Sequence, residues 1–399
     1  MAVGLILNIF NVISRGISDL PEPFKTWWGW TRLCIYKCFR WIPNFLRPIG
    51  DLIFRPRSLK EAERQQERRY SSDPESGEFQ TVNDSTRENN TAIKAEDEFS
   101  GAEYKVDRED DFYCQYDSTW EAEDSESNKT QKTTSPARGY RSYKFSRFEN
   151  AARDMQKYRH NYPGQNSREQ EHDENPNLSF YRGETHSLPD GFTINEFHQY
   201  WYGNYEKLER VHTFIQWLFP LQEPGMNYQA KTLTKKEIQE FLDSEKAKQN
   251  LLRSYKLMLD FYGIELKDEK TGDVQRASNW RERFQNLNCH THNNLRITRI
   301  LKCLGTLGYP HYQTPLVRFF LEETLVKGEL PNVKDSALSY FVFAVLSKQE
   351  RRMLLRFAFQ HYEPKEEFVW CPKKVQNVWL GQQNYMRAEG QSFKNSSDH

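Results

Sequence analysis

Residues 279–324 read NWRERFQNLNCHTHNNLRITRILKCLGTLGYPHYQTPLVRFFLEET, and this stretch decides the fold. Within it Ile297, Ile300, Leu301 and Leu304 fall at i, i+3, i+4 and i+7, the spacing of one helical face. Arg296, Arg299 and Lys302 recur every third residue beside them and predict a basic outer face on the same helix. Gly305 and Gly308 can adopt the left-handed conformation that ends a helix. Thr314 and Pro315 then offer an N-cap and a proline at the first helical position, which predicts a second helix. Helices joined by so short a turn must bury their apolar stripes on each other or on neighbours. The stretch is therefore read as the centre of an α-helical domain.

Working outward, dense apolar and aromatic residues run over 145–372 and bound that domain. Thr193 with Glu196, and Thr234 with Glu237, have capping-box spacing, each opening a helix. Further helices are expected over 151–160, 205–219, 244–262 with Gly263 as its stop, 276–287, 315–327, 335–346 and 348–362. No strand-like alternation recurs often enough for a sheet, so the expected fold is all-α, a multi-helix globular domain of about nine or ten helices.

The rest of the chain differs. Hydrophobic residues make up 37% of the 399 and mean hydropathy is −0.90, whereas globular domains carry about half apolar residues. Residues 58–144 are dominated by charged and small polar side chains and are predicted to be a disordered linker, because such a chain buries too little apolar surface to offset its ordering entropy. Inside it an acidic patch from Glu109 to Glu126 encloses Phe112, Tyr113, Tyr116 and Trp120, which reads either as an adhesive motif for protein partners or as solvated linker. Residues 373–399 are expected to be a disordered tail. With 56 basic and 56 acidic residues, nothing in the net charge argues for nucleic acid as a partner.

Residues 1–57 open with Val3, Ile6, Phe10, Ile13, Ile17 and Leu20 along one helical face. The uncharged part ends at Ser14, short of the roughly 20 apolar residues a membrane span needs. No basic residue precedes this run and no small-residue cleavage site follows, which disfavours a signal peptide. Trp27, Trp28, Trp30 and Trp41 then alternate with Arg32, Lys37, Arg40 and Arg47, a mixture suited to a lipid headgroup boundary, with packing onto the domain as the alternative. Cys34 and Cys38, one helical turn apart, are candidates for S-acylation. The six cysteines lack framework spacing, so a reduced, intracellular protein is expected. The sequons at Asn83, Asn89 and Asn128 matter only in the secretory pathway.

Several longer motifs occur in a fixed order: KYRHNYP at 157–163, NLSFYR at 177–182, IQWLFPL at 215–221, RFQNLN at 283–288, HNNLRITRILKCL at 292–304 and PLVRFFLEETLV at 315–326. Together they resemble the conserved N-terminal region of the opioid growth factor receptor family. Asp117-Ser118-Thr119-Trp120-Glu121 is similar to the acidic element that precedes that region. The resemblance implies a non-enzymatic, perinuclear and nuclear receptor, unrelated to seven-helix receptors, that binds the peptide methionine-enkephalin and restrains proliferation. The family's long C-terminal tail has no counterpart after Trp370, and the aromatic N-terminus is an addition. Both shift the expected location from the nucleus toward cytoplasmic or perinuclear membrane.

The search for chemistry returns little. Cys289, His290 and His292, with Cys303 downstream, lack the C-x2-4-C or H-x3-5-H spacing of a zinc site, so no metal or other cofactor is expected. No G-x-S-x-G, phosphate-binding glycine loop or H-E-x-x-H occurs, and no catalytic residue is assigned. Trp217, Phe219, Phe319, Phe320, Phe341 and Phe343 read as core. The candidate ligand contacts are Arg296, Arg299 and Lys302, for phosphate or carboxylate, and Glu322 or Glu323, for a peptide amino terminus. Two rival readings stay open: a membrane-tethered adaptor, and a nucleic-acid-associated nuclear regulator using the basic faces, for which Arg351, Arg352 and Arg356 offer a second example.

Overall fold

Among the described residues of the computed structural model the first α-helix, α1, is Tyr143–Arg159, opened by Ser142, whose Oγ accepts the Phe145 N–H. The structure describes residues 99, 101–121, 142–163 and 175–396, all within one compact unit, Thr91–His399. The expected N-terminal membrane segment, with Trp27, Trp28, Trp30, Trp41, Cys34 and Cys38, and the three sequons lie outside the described residues.

After α1 come five helices of eight residues or fewer: α2 Pro176–Arg182, α3 Ile194–Tyr200, α4 Tyr205–Arg210, α5 Ile215–Leu218 and α6 Lys235–Leu242. The long α7, Glu245–Tyr262, starts on the Ser244 hydroxyl and stops at Gly263, whose φ of 78° is left-handed. A Cβ there would also lie 2.7 Å from the Trp280 backbone, so the position excludes a side chain twice over. Ile264–Leu266 (β1) and Val274–Arg276 (β2) form a small antiparallel hairpin, an addition to the all-α expectation. Then follow α8 Trp280–Cys289, α9 Asn293–Thr306 and α10 Gln313–Leu321, the last continued by the π turn Glu322–Val326. The next helix, α11, runs Lys334–Ser336, widens through the π turn Ala337–Phe341 and closes with Val342–Ala344. α12 is Lys348–His361 and α13 is Lys373–Ser396.

Packing forms around two long helices. α7 lies against α2, α3, α6 and α8, while α10 lies against α11 and α12. α9 joins the groups: Ile297 and Ile300 meet Met258 and Tyr262 of α7 and Leu316 and Phe320 of α10, leaving a void of only about 10 Å³. The six aromatic residues read as core are all buried.

Several expectations are corrected. The 205–219 helix breaks into α4 and α5, because Val211 takes an extended conformation at the end of α4. α10 begins at Gln313, so Thr314 lies inside its first turn and is not its cap. Part of the expected linker is folded: Phe99, Tyr104, Cys114 and Trp120 are buried in the core, and Asp117, Ser118 and Thr119 are buried beside them. A few aromatic side chains, each burying roughly 150–250 Å², carry a segment whose average composition is polar. Part of the expected tail is folded as well: α13 begins at Lys373, and Val375, Gln376 and Trp379 are buried.

Gly305 does not end α9 but sits inside it, where a Cβ would meet Tyr158 Oη at 2.2 Å and Gln313 Nε2 at 2.5 Å. Gly305→Ala should therefore lower stability by about 1–3 kcal/mol in urea titrations, the overpacking penalty exceeding the gain in helix propensity. Gly381→Ala, in α13 with nothing near its Cβ, should raise stability by up to about 1 kcal/mol.

Candidate functional site

The basic stripe of α9 faces inward. Arg296 is 5% exposed and Lys302 2% exposed. Arg296 Nη1 donates to Leu208 O and its Nη2 to Val211 O, both at 2.8 Å, at the carbonyl end of α4. Arg299 Nε donates to Phe219 O, 2.7 Å away, at the end of α5. Lys302 Nζ pairs with Asp154 of α1 at 3.1 Å and with Glu223 at 2.9 Å. The last four carbonyls of a helix lack internal partners and carry partial negative charge, so cations settle there. The stripe that predicted an outer face is an internal clamp on three neighbours.

The acidic candidates fare similarly. Glu323 is fully buried, held in a fork by Arg276 Nε at 2.9 Å and by Arg276 Nη2, with Lys327 at 3.0 Å. Arg276 in turn stacks 3.9 Å from the Trp280 ring centroid. Glu322 makes a surface pair with Arg318 one turn earlier in the same helix. Arg296, Arg299, Lys302, Glu322 and Glu323 therefore do not converge on one open site.

The histidines gather on Glu209. His292 Nε2 stands 2.7 Å from Glu209 Oε1, and Asn286 Nδ2 donates to Oε2 at 2.7 Å. The His212 and His292 rings lie 5.1 Å apart, and Arg296 Nη2 is 2.9 Å from His212 Nδ1. Burial, then Arg296 and His292, lower the His212 pKa. Cys289 is exposed, but His290 Nδ1 faces Asn286 O at 3.1 Å and is turned to its own helix. Burial pushes the Cys114 thiol up to about 12 and raises Cys303 and Cys371 as well, which suits inert structural cysteines. Among the described residues no three His, Cys, Asp or Glu side chains are arranged to hold a metal ion, and no helix is long and apolar enough to cross a membrane.

The densest polar site is elsewhere. Residues 99 and 101–121 form a strap across α1, α12 and α13. Arg159 Nη1 donates to Phe343 O at 2.6 Å, and Arg351 Nη1 to Val345 O at 2.7 Å, so two buried arginines close the carbonyl end of α11. Gln313 Nε2 donates to Ala344 O at 2.8 Å beside them. The strap meets the far side of both arginines: Arg351 Nε donates to Thr119 Oγ1 at 2.9 Å, and Arg159 Nη2 lies 3.5 Å from Asp117 Oδ1. Arg352 Nε donates to Thr119 O, 2.8 Å away, and its guanidinium lies 5.4 Å from the Trp120 ring. Trp120 packs with Phe99, Tyr104 and Trp379 at centroid distances of 5.6–6.2 Å. Sequence reading missed Arg159 and saw Arg351 only as one of a surface series. The Asp-Ser-Thr-Trp element was the one available signal.

Burial alone would raise the Glu209 carboxyl, but hydrogen bonds from His292, Asn286 and Asn293 outweigh it and hold the value down to about 2. The folded value lies below that of an unfolded carboxylate, so this contribution is fully present above about pH 4.3 and is lost as pH falls toward 2. Glu209→Gln should cost about 1–3 kcal/mol at pH 7 and flatten the acid limb of a urea-stability profile between about pH 4.5 and 2.

Comparison with known proteins comes to bear on this geometry. Residues 170–377 match the opioid growth factor receptor conserved region. The mouse opioid growth factor receptor is 56% identical over 223 residues, covering 56% of this chain and 35% of the receptor. The human receptor is 56% identical over the same length, covering 33% of that protein. Mouse opioid growth factor receptor-like protein 1 is 54% identical over 224 residues, 56% of this chain and 48% of that protein. The match thus spans between about a third and a half of these relatives. No solved structure matches the chain. The strap and α1 precede residue 170, where the conserved region begins, and complete its arginine cluster. On the match across the helical domain, the chain belongs to the opioid growth factor receptor family.

Proposed function

We propose that this chain is a non-enzymatic, peptide-binding member of its family that takes an opioid peptide such as methionine-enkephalin and restrains cell growth. The observation that carries the reading is identity above one half, through the helical domain, to proteins named as opioid growth factor receptors. The side-chain chemistry agrees with a binding role. His290 Nδ1 is engaged by the Asn286 carbonyl, and the Cys114, Cys303 and Cys371 thiols are buried. The nucleic-acid reading loses support, because Arg296, Arg299 and Lys302 are engaged inside the domain and are not set out along a phosphate-facing surface.

Location follows from residues 1–57, whose tryptophans and cations suit an intracellular membrane surface, with the nucleus as the second compartment. Fused to a fluorescent reporter, that segment should bring the signal to membranes in cells; a diffuse signal rejects the membrane reading. For the peptide, titration calorimetry of the full chain should give saturable heats with methionine-enkephalin and none with a scrambled peptide. Equal heats from the two remove the receptor reading.

A further inference from the structure

We propose that Arg159, Arg351 and Arg352, with the aromatic slot beside Trp379, form an exchangeable docking site for linear acidic–aromatic protein segments, a site that residues 99–121 of the same chain occupy in the structure. This goes beyond the opioid-peptide reading and does not depend on it.

The strap is held as a bound peptide is held. Its one described regular element is the three-residue turn Ala102–Tyr104, and it adds no strand to a sheet. Its grip combines side-chain anchors with bonds to its carbonyls: the Asp117 carboxylate on Arg159, the Thr119 hydroxyl on Arg351, the Trp120 ring against Arg352 and Trp379, and the Asp111 and Thr119 carbonyls accepting from the Lys373 N–H and Arg352 Nε. A buried aromatic anchor flanked by charge-assisted hydrogen bonds is the usual composition of an interface hot spot. The strap also makes its own bound shape, because Asp117 Oδ1 accepts the Thr119 N–H at 3.2 Å and the Thr119 hydroxyl at 2.6 Å. Any Asp-x-Thr-Trp segment can fold the same turn.

Charge selects the occupant. Arg159 meets the Asp117 carboxylate while Arg351 and Arg352 donate to Thr119, so the cluster favours an incoming segment that brings acid. A segment from another protein that brought the same anchors would compete with the strap, whose advantage is its covalent tether to the rest of the chain.

The test uses the full chain with a protease site introduced between residues 122 and 141. After cleavage the strap is held only non-covalently. A fluorescent peptide of residues 99–121 should then bind saturably by anisotropy and release the native N-terminal fragment. Uncut protein should exclude it. Asp117→Ala or Trp120→Ala in the peptide should weaken binding about tenfold or more, and Arg352→Glu in the cleaved protein should weaken the unaltered peptide. Failure of the peptide to enter cleaved protein that keeps its circular dichroism spectrum overturns the proposal. So do unfolding on cleavage, equal binding to uncut protein, and equal affinity for the unaltered and substituted peptides.

Discussion

A cation resting on the carbonyl end of a short helix is the contact on which the domain depends. Helices of four to seven residues, such as α2 to α5, have almost all of their backbone groups at a terminus. They are too short to hold themselves, and tertiary partners must complete them. Arg296 completes α4, Arg299 completes α5, and Arg159 with Arg351 completes α11. Glu237 does the converse for α2: its carboxylate accepts the Asn177 and Leu178 N–H groups at 2.7 and 3.0 Å. A hydrogen bond to a charged group contributes about 1.5–3 kcal/mol, more than a surface ion pair at about 0–1 kcal/mol. Those bonds offset part of the desolvation that burial imposes on the arginines.

Local features were legible and remote ones were not. The apolar face of α9, the Thr193 capping box and the Ser244-to-Gly263 frame of α7 could be read from the sequence, because each is settled by residues within a few positions of one another. The second capping box was half right. Thr234 accepts the Glu237 N–H, but the Glu237 side chain leaves its own helix for α2. The direction of the basic stripe departs from expectation for the same reason: Leu208, Phe219 and Asp154, which draw it inward, are 80 or more positions away in sequence. Periodicity finds a stripe; only tertiary partners decide which way it faces.

The strap exposes a second limit of composition. Its acidic and polar average predicted disorder, yet burial depends on a few large side chains in the right places and on charges that find partners. Phe99, Tyr104 and Trp120 supply the area, and Asp117 and Thr119 supply the polar fit. The conserved region begins at residue 170, so Arg159 and the strap, which complete its buried arginine cluster, lie before it.

That dependence has a direction. Burial, and then repulsion from Arg159, lower Arg351 to about 9, so at neutral pH a buried cation is held against the loss of its own hydration. The carbonyls of Val345 and Leu346 and the strap's Asp117 and Thr119 are what make this tolerable. Removing one partner of a buried charged pair typically costs about 3–5 kcal/mol, because the charge left behind has neither water nor counter-charge. The arginine cluster is therefore not stable as an empty cleft. Either an acidic segment covers it or water must enter, and water would loosen the same guanidinium groups that close α11. Occupancy of the cluster and order at the end of α11 are consequently one equilibrium, and whatever shifts the first shifts the second in the same direction.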